Sequence, residues 1–113
     1  TEIEGLQGAR PKTFNNYQDL LAVDGLEAVI IATPTQWHAL QFIAAVNRGL
    51  DVYCEKPLAA DIREGRAMVE AARRSGRIVQ VGFQRRQSES YKQVRAFLEQ
   101  GTFGRVVQAE AQI

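Results

Sequence analysis

Three short apolar runs, Ala28–Ala32, Val52–Cys54 and Ile78–Phe83, are separated by segments whose apolar residues recur at helical spacing. Strand, helix, strand in that order is the pattern of βαβ units, in which a crossover helix joins neighbouring parallel strands. It commits the chain to an α/β fold around a parallel sheet. The first run, Ala-Val-Ile-Ile-Ala, is continuous rather than alternating. That predicts a strand in the sheet interior, covered by helices on both faces.

The helices carry their own punctuation. Thr35 is the expected N-cap of a helix that buries Ala39, Phe42, Ile43 and Val46, leaves His38, Gln41 and Arg48 on its outer side, and stops at Gly49. In the next, Asp61 and Glu64 form a variant capping box, Ile62, Met68, Val69 and Ala72 form the buried stripe, and Gly76 ends the helix. A third, from about Ser88 to Gln100, is expected to bury Tyr91, Val94, Phe97 and Leu98. A short helix within Asn15–Ala22, capped by Asn16, precedes the first strand. At the far end Val107, Ala109, Ala111 and Ile113 alternate with polar residues, which predicts a strand with one open face. Such a strand belongs to a different layer, so residues 1–86 and 87–113 are read as parts of two domains.

Composition narrows the function classes. The 113 residues suffice for one domain and not for two complete ones, and 45% hydrophobic with 24% charged residues is the make-up of a packed globular protein. A net charge of +1 offers no electrostatic footprint for nucleic acid or an anionic membrane. No apolar run approaches the roughly 20 residues of a membrane span. One Cys and one His build neither an internal disulfide nor a tetrahedral zinc site, and Cys54 is read as core packing. The chain opens on Thr1 and closes inside the last alternating segment, so it is read as a piece of a longer protein, its compartment open.

Ligands of open parallel sheets bind beyond the carboxyl ends of the strands. Here those ends deliver Thr33-Pro34-Thr35-Gln36-Trp37-His38, then Glu55-Lys56-Pro57, then Gln84-Arg85-Arg86. Lys56 is either a solvated cation paired with Glu55 or an ammonium that holds a substrate oxygen and stabilises negative charge on it. His38, in a first helical turn, is either a structural hydrogen-bonding group or part of a ligand site. Trp37 is a core or lid aromatic, or a flat wall for a cofactor ring. Arg85 and Arg86 are surface charges, or they meet a phosphate or a substrate hydroxyl.

Taken together, Ala-Val-Ile-Ile-Ala-Thr-Pro with Trp37-His38, Asp51-Val-Tyr-Cys-Glu-Lys-Pro-Leu58, Val81-Gly-Phe-Gln-Arg-Arg86 and Gly101-Thr-Phe-Gly104 resemble the glucose-fructose oxidoreductase / inositol dehydrogenase family (Gfo/Idh/MocA). The resemblance implies the C-terminal half of a Rossmann dinucleotide-binding domain leading into the first strand of an α/β substrate domain. It implies NAD or NADP as cofactor, a sugar, cyclitol or related polyol as substrate, and a homo-oligomer at full length, beside the expectation from charge and run length of no nucleic-acid or membrane partner. By matching motif positions, Thr33, Pro34, Trp37 and His38 would line the cofactor crevice, Glu55 and Lys56 would meet the nicotinamide ribose, Lys56 would also contact the reacting hydroxyl, and Arg86 would be a pocket residue. The same resemblance implies a cis peptide at Lys56–Pro57. It places the glycine-rich phosphate loop before Thr1 and the proton-accepting histidine after Ile113. Hydride transfer is the leading activity; an NAD-dependent glycosidase or a cofactor-sensing regulator on the same scaffold are the alternatives.

Overall fold

A computed structural model describes residues 2–102 and 104–110, which fall into two compact units, residues 1–82 and 83–113. The first contains α1 (Glu2–Gln7), α2 (Tyr17–Leu21), β1 (Ala28–Ile31), a 3₁₀ turn (Thr35–Trp37), α3 (His38–Asn47), β2 (Asp51–Glu55), α4 (Ile62–Ser75) and β3 (Val79–Gly82). The second contains a 3₁₀ turn (Gln84–Gln87) and α5 (Glu89–Glu99). No helix among the described residues is long and apolar enough to cross a membrane.

The sheet is parallel throughout in the order β1-β2-β3, as the run pattern predicts. Ile31 stands opposite Cys54, and Glu55 opposite Gly82. Ile31, Val52 and Cys54 form the core with Phe42, Ala45 and Val46 of α3 and with Met68 and Ala71 of α4. Leu21 of α2 and Leu50 close it at the sides.

The expected burial of β1 on both faces is corrected here. The strand lies at one edge of the three, and Ile30 is 77% exposed. Both crossovers step in the same direction along the sheet, so right-handedness places α3 and α4 on one face. The opposite face, with Ala28, Ile30 and Gln80, is exposed.

Most of the local punctuation holds. The Asn16 side chain accepts the Gln18 N–H at 2.9 Å, and Asp61 accepts the Glu64 N–H at 2.8 Å. Glu64 returns a bond to the Ala60 N–H at 3.0 Å, one residue before the usual capping-box position. Gly49 and Gly76, with φ of 82° and 65°, end α3 and α4 as expected. Thr35 does not cap α3: it opens the 3₁₀ turn, and no side-chain hydrogen bond caps either the turn or α3.

Facial assignments fare less well. In α4 Met68 and Ala71 are buried, while Ile62 is 76% exposed and Val69 is exposed too. The helix turns its Met68–Ala71 side to the core, and Val69 lies about 100° further round. None of Tyr91, Val94, Phe97 and Leu98 is buried; a stripe is covered only where another layer lies against it, and the described residues of the second unit supply no such layer. The strand predicted over 107–113 is absent from its described part, for residues 104–110 carry no regular element, and Ala111 and Ile113 lie outside the described residues. A strand persists only where a neighbour takes up its backbone N–H and C=O groups, and the described elements of the second unit are a turn and a helix.

Candidate functional site

Because β1 and β2 are parallel, the loops that follow them leave the sheet along the same edge. After β1 the Thr33 hydroxyl donates to Gln41 Oε1 at 2.8 Å, and the Trp37 N–H donates to the Pro34 carbonyl at 2.9 Å. This fixes the loop to the start of α3 and leaves the Trp37 indole 47% exposed. Thr33, Pro34, Trp37 and Gln41 form one wall of an open groove of about 690 Å³, whose other wall is Phe14, Asn15, Asn16, Tyr17 and Leu20. A groove lined by an exposed indole and the Asn15 side chain suits a planar, hydrogen-bonding ligand ring.

His38 lies beneath this loop rather than in it. It is 1% exposed, with Nε2 2.8 Å from the Thr33 carbonyl oxygen and Nδ1 2.9 Å from that of Pro57. The expectation that it lines the crevice is therefore corrected: its ring is enclosed and both its polar atoms already face partners. The outer side assigned to it by helical periodicity is in fact where the two loops cross over α3.

The second loop begins at Glu55, half-buried at the end of β2. The Lys56 backbone N–H donates to Glu55 Oε2 at 3.1 Å. That carboxylate therefore engages the main chain of Lys56, and among the described residues the exposed ammonium has no ion-pair partner. The Lys56–Pro57 peptide is cis. Cys54, one residue inside the strand, is fully buried, and burial followed by the nearby Glu55 charge pushes its thiol up to about 11. It is core packing, not a nucleophile.

Thr33, Pro34 and Trp37 thus share one groove, Glu55 and Lys56 occupy the adjoining strand end, and His38 stands behind both loops. Arg86 belongs to the second unit, where its guanidinium lies 4.9 Å from the centroid of the Phe83 ring. Sequence reading passed over Asn15, Tyr17 and Gln41. The Asn15-Asn16 pair carries a usable signal, although by local pattern Asn16 reads as the cap of the short helix and Asn15 as its start.

The family described as an oxidoreductase family with an NAD-binding Rossmann fold matches residues 6–83. The inositol 2-dehydrogenase of Salmonella typhimurium is 37% identical over 94 residues, covering 82% of this chain and 28% of that protein. The Rhodococcus jostii inositol 2-dehydrogenase is 35% identical over 106 residues, 93% of this chain and 28% of its own. Among solved structures, myo-inositol 2-dehydrogenase from Lactobacillus plantarum superposes with a TM-score of 0.82 at 32% identity, over 92% of this chain and 31% of that one. The WlbA dehydrogenase from Bordetella pertussis, solved with NADH and UDP-GlcNAcA, gives 0.77 at 35% identity, over 92% and 30%. The chain therefore spans less than a third of the length of these relatives.

Proposed function

From the chain's membership of the oxidoreductase family with an NAD-binding Rossmann fold, Gfo/Idh/MocA, to which it belongs, we propose that its protein transfers a hydride between NAD or NADP and a sugar, cyclitol or related polyol. The observation that carries this reading is the exposed Lys56 ammonium at the end of β2, without an ion-pair partner among the described residues and on the same sheet edge as the Trp37 groove.

The residues present fit a dinucleotide. Trp37, Pro34 and Thr33 offer a flat wall with a hydroxyl, and the Asn15 amide belongs to the lining of the same groove, while that of Asn16 is taken up by Gln18 at the start of α2. Glu55, held by the Lys56 N–H, would meet a ribose hydroxyl. A bound nicotinamide supplies the place to which hydride goes. Lys56 would donate a hydrogen bond to the oxygen on the reacting substrate carbon and oppose the negative charge that grows there as the C–H hydride leaves and the hydroxyl proton passes to a base. Arg86 is proposed as a further pocket residue. Residues 1–86 would belong to the dinucleotide domain and 87–113 to the start of a substrate domain that also joins subunits into a homo-oligomer; the half-exposed Tyr91, Val94, Phe97 and Leu98 of α5 support that reading.

The test is steady-state turnover, followed through the absorbance of reduced nicotinamide, of the protein as its gene encodes it, on a panel of inositols and sugars. Lys56→Ala should lower kcat by roughly 10²- to 10⁴-fold, the effect of losing a positioned proton-handling or charge-stabilising group. Cofactor Kd should change much less. Near-normal turnover of Lys56→Ala on a substrate the parent oxidises would sink the assignment.

A further inference from the structure

We propose that His38 is a positioning residue that spans the Thr33 and Pro57 carbonyls, locking the groove loop to the loop that carries Lys56 and so setting where the Lys56 ammonium stands. The inference rests on the oxidoreductase reading for its kinetic consequence, though not for its geometry. His38 is 1% exposed and is the sole buried polar or charged residue among those described. Its Nε2 is 2.8 Å from the Thr33 carbonyl oxygen, five residues back, and its Nδ1 is 2.9 Å from the Pro57 carbonyl oxygen, nineteen residues on.

Both oxygens can only accept, so bonding the two at once takes an N–H on each ring nitrogen, the doubly protonated ring. Neither carbonyl is taken up by strand pairing, since both lie past the ends of β1 and β2. One rigid ring thus serves two loops that are remote in sequence, and Pro57 is bonded directly to Lys56. A histidine needed only to fill space in the core would require neither contact, and an apolar residue of similar volume would avoid burying the ring nitrogens.

Two measurements separate this proposal from the function it serves. In protein labelled with carbonyl ¹³C at Thr and Pro, His38→Ala should move the resonances of both Thr33 and Pro57; movement of one alone, or of neither, overturns the bridge. His38→Gln keeps the site filled if the alanine variant fails to fold. Its two N–H donors sit on one nitrogen and cannot reproduce the diverging Nδ1 and Nε2 contacts of the ring, so one of the two resonances should stay near its parent position. In turnover assays His38→Ala should lower kcat about 10- to 100-fold, the scale of a small misplacement of a reacting group, with the glutamine variant between it and the parent.

The decisive comparison is made in the Lys56→Ala background, where His38→Ala should cost almost nothing more, because a residue that acts through Lys56 has nothing left to position. Full additivity of the two losses overturns the positioning role. If Lys56→Ala itself leaves turnover intact, the assignment of Lys56 has failed, the kinetic half of this proposal falls with it, and the carbonyl shifts alone decide whether the bridge exists.

Discussion

Gly82 lies directly under the Tyr53 phenol: a Cβ at position 82 would stand 2.7 Å from the Tyr53 hydroxyl oxygen and 3.2 Å from the Glu55 carboxyl carbon. Both side chains come from β2, next to β3 in the sheet, and Glu55 is the register partner of Gly82. The missing side chain is therefore the space in which Tyr53 and Glu55 rest. Gly82→Ala should cost about 1 kcal/mol, the low end of the range for overpacking, because the phenol and the carboxylate are the far ends of half-buried side chains that can swing aside. Urea denaturation of the single variants and of Gly82→Ala with Tyr53→Ala should show strong coupling, the alanine at 82 being tolerated once the ring is gone. Equal costs in both backgrounds would contradict the contact.

The Asp61 cap of α4 offers a test confined to one helix end. Its carboxylate takes the Glu64 N–H at 2.8 Å, so Asp61→Ala should destabilise the fold by about 1 kcal/mol. Asp61→Asn and Asp61→Ser should recover most of that loss. Thermal melts of the three variants are sufficient to decide it.

How far the sequence could be read follows from how far the determinants lie apart. Asn16, Asp61, Gly49 and Gly76 act on backbone groups within a turn of themselves, and each stands where its residue type predicts. The parallel order of three strands followed from the alternation of apolar runs in the same local way. His38 did not, because the carbonyls that enclose it come from two other loops, and helical periodicity set it on the outer side of α3. Ile62 and the apolar residues of α5 fail for the complementary reason: an apolar stripe reports that a face can be buried, while the presence of a covering layer is a tertiary fact. Of the site, Thr33, Pro34 and Trp37 were legible as one loop, but Asn15 and Tyr17 meet them only through the fold.

Cys54 gives a pH dependence of definite sign. Its thiol is raised from 9.0 to about 11, first by burial and then by Glu55. The folded chain thus keeps a proton that the unfolded chain gives up as pH passes 9. The stabilisation is fully present below pH 9 and is lost between there and about pH 11, with an upper limit of roughly 2–3 kcal/mol. Denaturation curves at stepped alkaline pH should show the decline, and Cys54→Ala, though less stable at neutral pH, should lack this component of the slope. The same shift predicts a thiol that resists alkylation at pH 8 until denaturant is added.

Trp37 and Lys56 should separate binding from turnover. The exposed indole forms a groove wall, and aromatic stacking is worth about 0.5–1.5 kcal/mol. Trp37→Ala should therefore raise the dinucleotide Kd by roughly 2- to 10-fold with a smaller change in kcat, the reverse of the pattern for Lys56→Ala. Lys56→Arg should restore only part of the lost turnover, since a planar fork does not occupy the place of a compact ammonium. Calorimetric titration beside steady-state kinetics distinguishes the two.

The strand order carries a consequence for how the chain is made. Ala28 pairs with Asp51 and Val52 with Val79, so partners stand 23 and 27 residues apart, and each strand finds its neighbour in the one synthesised just before it. A ribosome releasing this segment supplies β2 and β3 each with a template already outside the exit tunnel, and the closure entropy at each step is that of a single helix and its two loops. Parallel sheets whose order is shuffled relative to the chain must keep an apolar strand waiting for a partner. Between β1 and β3 this sheet can instead grow at the pace of translation, one crossover unit at a time.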